Sequence, residues 1–250
     1  MTADNPDWGN KALSKVAEIG ISSQLDGSEA IEVNIRTNPG KLIQGKLDSV
    51  TISGKGLVMK QDLRLETLEI NIDKVSIDPM RAIFGNIQLI HPTDAQAYIV
   101  LTEVDLNRAF SCEYTRSKLH NLTMEMNGQK VTIDLHQASI KLPGDNKFVI
   151  DADFTVENQS QLKKLSVTAI PEIHENGNRI SLEIVAIQGQ GLILDFVSAL
   201  VDRLTALLDL RNFDLPGVSF QLYRLEAQKD RLIIHSQAQV AQIPVIEIIS

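Results

Sequence analysis

The stretch Leu192–Leu210, LILDFVSALVDRLTALLDL, decides how the rest of the chain reads. Ile193, Phe196, Val197, Leu200, Leu204, Leu207 and Leu208 recur at three- and four-residue steps, which places them on one face of a helix. Leu194 and Val201 widen that face, while Asp195, Ser198, Asp202, Thr205 and Asp209 fall on one narrow polar stripe. A helix this apolar is covered on most sides. It is not a membrane span, because three aspartates and Arg203 would each be costly in hydrocarbon. Something else in the chain, or a ligand held by it, must cover roughly 28 Å of rod at about 1.5 Å per residue.

Strands are what the flanking sequence offers. Ile31, Val33 and Ile35 alternate with Glu32, Asn34 and Arg36, a ribbon with one wet and one dry side. Between Lys41 and Ile77 the alternation changes phase. Val50 and Ile52 are even, Leu63 and Leu65 odd, Leu68, Ile70 and Ile72 even again, and Val75 and Ile77 odd. Bulges produce such shifts and bend a strand; turns near Gln61-Asp62 and Asp73-Lys74 would produce them too. Gly54-Lys55-Gly56 reads as a tight turn, and so does Asn38-Pro39-Gly40. From His120 to Gln188 the pattern is β throughout, with a hairpin signal at Asn127-Gly128 and further turns at Pro143–Asn146 and Asn176–Asn178. Val218, Phe220 and Leu222, then Ile234, Ala238 and Val240, make a final strand pair.

Helices are few. One runs from about Gly9 to Gln24, with Leu13, Val16, Ala17 and Ile21 inward. Asp78-Pro79 opens a short one, and Thr102 with Asp105 forms a capping box for another. The fold class is therefore α+β: long antiparallel strands, highly curved, around a long apolar helix. No linker composition interrupts the chain, so residues 1–250 read as a single domain, with a core over about 10–242 and an apolar tail at 243–250.

Composition narrows the function. Of 250 residues 43% are hydrophobic but only 4% aromatic, so the interior is aliphatic. The net charge of −8 and the lack of any basic run argue against nucleic acid as a partner. The same acidity opposes simple adsorption to anionic lipid, so membrane contact would be apolar or mediated. Cys112 is the single cysteine, which excludes an intrachain disulfide and a thiolate cluster. Five histidines, at 91, 120, 136, 174 and 235, lack metal-binding spacing, and no nucleophile motif appears. Asp151 and Asp153 share a strand face, which reads as a solvated surface rather than an acid pair. The chain reads as a non-enzyme without metal or cofactor. The opening MTADNPDWGNKAL has no basic or apolar signal region, so the expected location is cytoplasmic, or peripheral at a membrane's cytoplasmic face, with a trimmed mature form of an exported protein as the alternative.

Apolar strand faces set to wrap an apolar helix have two outcomes. They close on each other as a dry core that presents an edge or the tail to a partner protein. Otherwise they leave a tube, where adaptable Met124 and Met126 would suit a lining for hydrocarbon.

Three stretches bear on that choice: GKLIQGKLDSVTISGKGLVMKQDLRLETLEINIDKVSIDP at 40–79, LTEVDLNRAF at 101–110 and FDLPGVSFQLYRLEAQKDRLIIHSQAQ at 213–239. Together they resemble the LmeA-like family of bacterial phospholipid-binding proteins, which is similar in fold to the tubular lipid-binding (TULIP) superfamily. The resemblance covers roughly residues 10–242 and rests on apolar and glycine positions. It implies a curved sheet around a long helix, an elongated channel for the tails of a phospholipid or other acyl lipid, and transient membrane contact. It also implies lining candidates: Leu194, Val197, Leu200, Val201 and Leu204 from the helix, and Ile70, Ile72, Met124, Met126, Ile150 and Phe154 from the sheet. Exported members of the family carry a signal segment or lipobox cysteine, which this sequence does not display, so a periplasmic placement is not the expectation.

Overall fold

The computed structural model describes residues 7–59, 63–83, 88–112, 122–126, 129–157, 159–189, 197–198, 201 and 218–241. A first helix, α1 (Asp7–Ser22), precedes β1 (Ala30–Arg36), the one-turn helix α2 (Pro39–Ile43), and two 14-residue strands, β2 (Lys46–Met59) and β3 (Leu63–Ser76). Then come α3 (Pro79–Ile83), β4 (Thr93–Thr102) and α4 (Glu103–Ser111). A meander follows: β5 (Leu122–Met126), β6 (Gln129–Gly144), β7 (Lys147–Val156), β8 (Gln159–His174) and β9 (Arg179–Gly189). The hairpin β10 (Val218–Gln228) and β11 (Arg231–Val240) comes last.

All strand pairs are antiparallel. Among the described residues they build two sheets, a six-stranded β1-β2-β3-β4-β11-β10 and a five-stranded β5-β6-β7-β8-β9. The α+β class therefore holds, but the single wrapped sheet expected from the sequence is replaced by two sheets that share the main apolar cluster. The described helices are short, α1 being the longest at 16 residues. The expected helix at 192–210 lies outside the described residues except for Val197, Ser198 and Val201, which are helical. Among the described residues no helix is long and apolar enough to cross a membrane. The tail 243–250 and the Gln61-Asp62 and Asn127-Gly128 turns also lie outside them.

The phase changes in β2 and β3 have a local cause. Their register keeps one offset throughout, with Leu47 facing Val75, Ile52 facing Ile70 and Leu57 facing Leu65. It skips two opposed pairs, Asp48 with Lys74 and Gly56 with Glu66. Lys74 and Gly56 have φ of 56° and 57°, the left-handed region. One residue drops out on each strand at the same level, so both strands flip phase together and their apolar sides stay on one face. Gly54-Lys55-Gly56 is thus not the turn its glycines imply but the interior of β2. A Cβ on Gly56 would lie 2.4 Å from Glu29 Cδ, so the kink needs glycine. Asn38-Pro39-Gly40 likewise opens α2, with Asn38 as its N-cap accepting from the Lys41 amide.

Single-sided bulges do the same work elsewhere. Between Leu135 and Gln137 the register against β7 shifts at His136, which lets Ile133 and Leu135 point the same way as Ala138, Ile140 and Leu142. In β10 the shift between Leu222 and Arg224 keeps Leu222 and Leu225 both inward.

The sheets meet through backbone and cap contacts. Leu142 N donates to Glu103 Oε2 at 2.7 Å, and Asn107 holds both the N–H and the C=O of Ile140 at 2.8 Å. Asp230 N donates to Leu142 O, and Asn146 exchanges two hydrogen bonds with Ala227. At Gly177, φ 88°, a Cβ would sit 2.4 Å from Leu222 O, a close approach between the β8–β9 connection and β10.

A charged clasp secures one edge. Asp105, 2% exposed, completes the expected capping box with Thr102 and takes a 2.9 Å hydrogen bond from Arg64, which also binds Glu29 and Glu66. Burial opposes ionisation of Asp105, yet the hydrogen bonds from Thr102 and Arg64 prevail and hold its carboxyl below the usual range. Its contribution is then complete above the ordinary carboxylate pKa of about 4 and is lost as pH falls through the lowered native value. Asp105→Asn should cost about 2–4 kcal/mol at pH 7, as expected for removing one side of a largely buried pair. Urea unfolding should show a lower midpoint at unchanged slope, with the gap to the parent protein closing as pH falls through the lowered native value.

Candidate functional site

Among the described residues, the interior gathers side chains from both sheets, from α4 and from the helical Val197 and Val201. Its main cluster takes Leu57, Leu65, Leu101 and Leu232 from the first sheet, and Ile133, Leu142, Phe148, Ile150, Phe154 and Val167 from the second. Strand β7 shows how it is built, because its residues alternate buried and half-buried along nearly the whole strand. Val197 and Val201, one helical turn apart and so on one face, enter this cluster at 0% and 5% exposure. A second cluster of Val33, Ile35, Leu47, Val75, Ile77 and Leu89 lies under α1, with Leu13, Ala17 and Ile21 packed against it.

The sequence-predicted lining residues divide accordingly. Ile150, Phe154, Val197 and Val201 are brought together in the main cluster. Ile72 is half-buried against the second cluster, and Ile70, on the same strand face, is half-buried between the two. Met124 and Met126 lie in β5, the edge strand of the second sheet; the placement of their side chains is outside the described residues, as are Leu194, Leu200 and Leu204 altogether.

Sequence reading missed the second cluster, whose members sit in segments taken one strand at a time. It also missed what lies between the clusters. A row of paired residues joins them across the first sheet, from Val33 of the second cluster through Ile52, Ile70, Ala97 and Ser236 to Leu222 of the main one. Beside it stand Ala95 and Ala238. This saddle is floored by small side chains, and the signal for it was legible as Ser236 in the apolar phase of β11.

Polar chemistry is elsewhere. Asp151 binds Lys141 at 2.7 Å and Ser166 at 2.6 Å, and Asp153 binds Lys164 at 3.5 Å, so the two carboxylates serve separate cross-strand pairs. Burial disfavours the Asp151 carboxylate, but the contacts from Lys141 and Ser166 outweigh it and lower its pKa. His136 bonds Thr155, His174 bonds Glu172, and His235 lies against Tyr98 and Tyr223, three separate places. Among the described residues no group of three His, Cys, Asp or Glu side chains could hold a metal. An open groove of about 500 Å³ runs along Gly144–Asn146 and Arg224–Lys229, at the seam where the sheets join.

The LmeA-like phospholipid-binding family matches residues 6–237 of the chain. No curated protein and no solved structure matches it.

The contrast between cluster and saddle is measurable. Ile150→Ala should destabilise the protein by about 2–5 kcal/mol, as for any fully packed isoleucine. Ile70→Ala, at a half-buried position, should cost about 1 kcal/mol or less. Urea midpoints of the two variants in lipid-free protein check the difference.

Proposed function

The chain belongs to the LmeA-like phospholipid-binding family, and from that membership we propose that it is a non-enzymatic carrier, with phospholipid tails lodged between its sheets and the 192–210 segment. The observation that carries this reading is the convergence of Val197 and Val201 with Ile150 and Phe154 in one apolar interior. Of the other lining candidates, Ile70 and Ile72 would carry that wall onto the first sheet; Leu194, Leu200, Leu204 and the side chains of Met124 and Met126 lie outside the described residues. Apolar walls with little buried polarity suit hydrocarbon, which asks for shape and dryness rather than hydrogen bonds. The headgroup then stays toward the mouth, where no dedicated recognition motif is required. A tube around a long helix, as in the TULIP superfamily, is the architecture this reading needs.

Transfer requires meeting a bilayer, and one end of the first sheet is equipped for it. Ile43, Met80 and Ile90 are 80%, 65% and 51% exposed. All three flank the β2–β3 end, where Ile77 N bonds Gly45 O and Ile90 N bonds Ser76 O. On an acidic protein such a tip docks by apolar insertion rather than by charge.

Native purification followed by lipid extraction and mass spectrometry should recover phospholipid in near-stoichiometric amount. A protein carrying none, and taking up no fluorescent phospholipid, would be a closed-core interaction module instead. Val201→Asp should abolish uptake, since a lone carboxylate in that wall is costly; Val201→Ala, which keeps the wall apolar, should still bind. Replacing Ile43 and Met80 together by Glu should slow transfer between vesicles severalfold while leaving equilibrium uptake from dispersed lipid unchanged.

A further inference from the structure

The saddle between the two apolar clusters holds a polar atom with nothing to bond. Ser236 is 2% exposed, and its Oγ is, among the described residues, a buried polar side-chain atom without a hydrogen-bond partner. It shares the inward phase of β11 with Leu232 and Ile234, which pack in the main cluster, and with Val240, which packs on the second. Its cross-strand neighbours are Ala97 and Leu222, and Ala238 follows it on the same face. The backbone around it is committed, because β11 is paired on both edges, to β4 and to β10.

A buried hydroxyl left unpaired costs free energy, and native proteins keep such groups for a reason. Water is a poor occupant, since a buried water needs two to four polar partners and the surrounding side chains offer one. A phosphate is poorer, because no cation lines the row and an unpaired charge there would be heavily penalised. An ester carbonyl fits both requirements. It accepts one hydrogen bond, carries no charge, and is joined directly to an aliphatic tail.

We propose that Ser236 Oγ donates a hydrogen bond to an acyl-ester carbonyl of the bound phospholipid, fixing the depth at which the tails begin. This rests on the carrier reading given above. The hydroxyl is a positioning and specificity group: it favours ester-linked over ether-linked lipid and marks the saddle, not the main cluster, as the glycerol end of the path.

The test is displacement of a fluorescent diacyl phosphatidylcholine by unlabelled diacyl or dialkyl-ether phosphatidylcholine of matched chain length. The parent protein should prefer the diester by about three- to tenfold, the range of one neutral hydrogen bond. Ser236→Ala should erase the preference by weakening diester binding alone, and Ser236→Thr, which keeps the hydroxyl, should restore it. Lipid-free Ser236→Ala should melt at the same temperature as the parent or higher, because an unpaired buried hydroxyl is removed; a serine satisfied within the protein would instead lose stability. Equal binding of both lipids by the parent, or an undiminished preference in Ser236→Ala, overturns the proposal while leaving the carrier reading in place. Uptake of neither lipid by the parent overturns both.

Discussion

The whole arrangement depends on keeping the apolar side of very long strands turned one way. A strand of 14 residues twists as it runs, and a strict two-residue alternation would carry its greasy side away from the interior. This chain resets the alternation instead of shortening the strands. Asp48 opposite Lys74 and Gly56 opposite Glu66 drop out of the β2–β3 ladder together, so the pairing resumes at the same offset. His136 in β6 and the Leu222–Arg224 step in β10 achieve the reset on one strand only, at the cost of a register shift. The paired drop-out spends a little backbone strain, at Lys74 a non-glycine residue held at positive φ, to retain a continuous apolar wall.

Polarity is arranged around that wall rather than in it. The clasp of Arg64, Asp105, Glu29 and Glu66, the cap contacts of Glu103 and Asn107, and the Asn146–Ala227 exchange all sit where elements join. Each satisfies backbone or charged groups that would otherwise be stranded at a sheet end. Placing the fixed hydrogen bonds at the seams lets the centre be held by apolar contact alone, and apolar contact is the kind a hydrocarbon chain can replace. Ser236 is the exception that makes the pattern informative, because it is buried, polar and in the centre.

Much of this was legible in the residues. Thr102 with Asp105, Asp78 before Pro79, the Pro143–Asn146 turn and the alternation of β7 all follow from short-range chemistry and appear where that chemistry puts them. The phase changes in β2 and β3 were visible too, but their mechanism was not, since a double drop-out and a turn leave the same mark on one strand. Gly54-Lys55-Gly56 misled for a related reason: glycine serves a kink inside a strand as well as a turn between strands. That the strands divide into two sheets was beyond reach, because β11 pairs with β4 across some 130 residues of chain and no local pattern announces it. Among the lining candidates, Ile150 and Phe154 were readable because they occupy the dry phase of an unbroken strand. Ile70 was less so, because whether a dry phase is filled or left half-covered depends on what faces it from afar.

Energetics give the saddle its importance. Burying a methylene from water is worth about 0.8 kcal/mol, so tails in transit are strongly held by any dry wall. In the bilayer those tails are already dry. Moving a lipid between membrane and protein therefore exchanges one apolar surrounding for another, and the large hydrophobic term cancels from the equilibrium. What remains is small: packing quality, the desolvation of the ester and headgroup, and whatever hydrogen bond replaces the one water gave the carbonyl at the interface. A binder with many polar contacts would retain its cargo, and one with none would leave the carbonyl unpaired and release it at once. On the carrier reading proposed above, a single neutral donor in an otherwise aliphatic path would shift the balance by a factor of about ten or less, which tips it without dominating it. For a carrier, near-parity is the useful condition, since it lets loading and unloading follow the supply of lipid on either side.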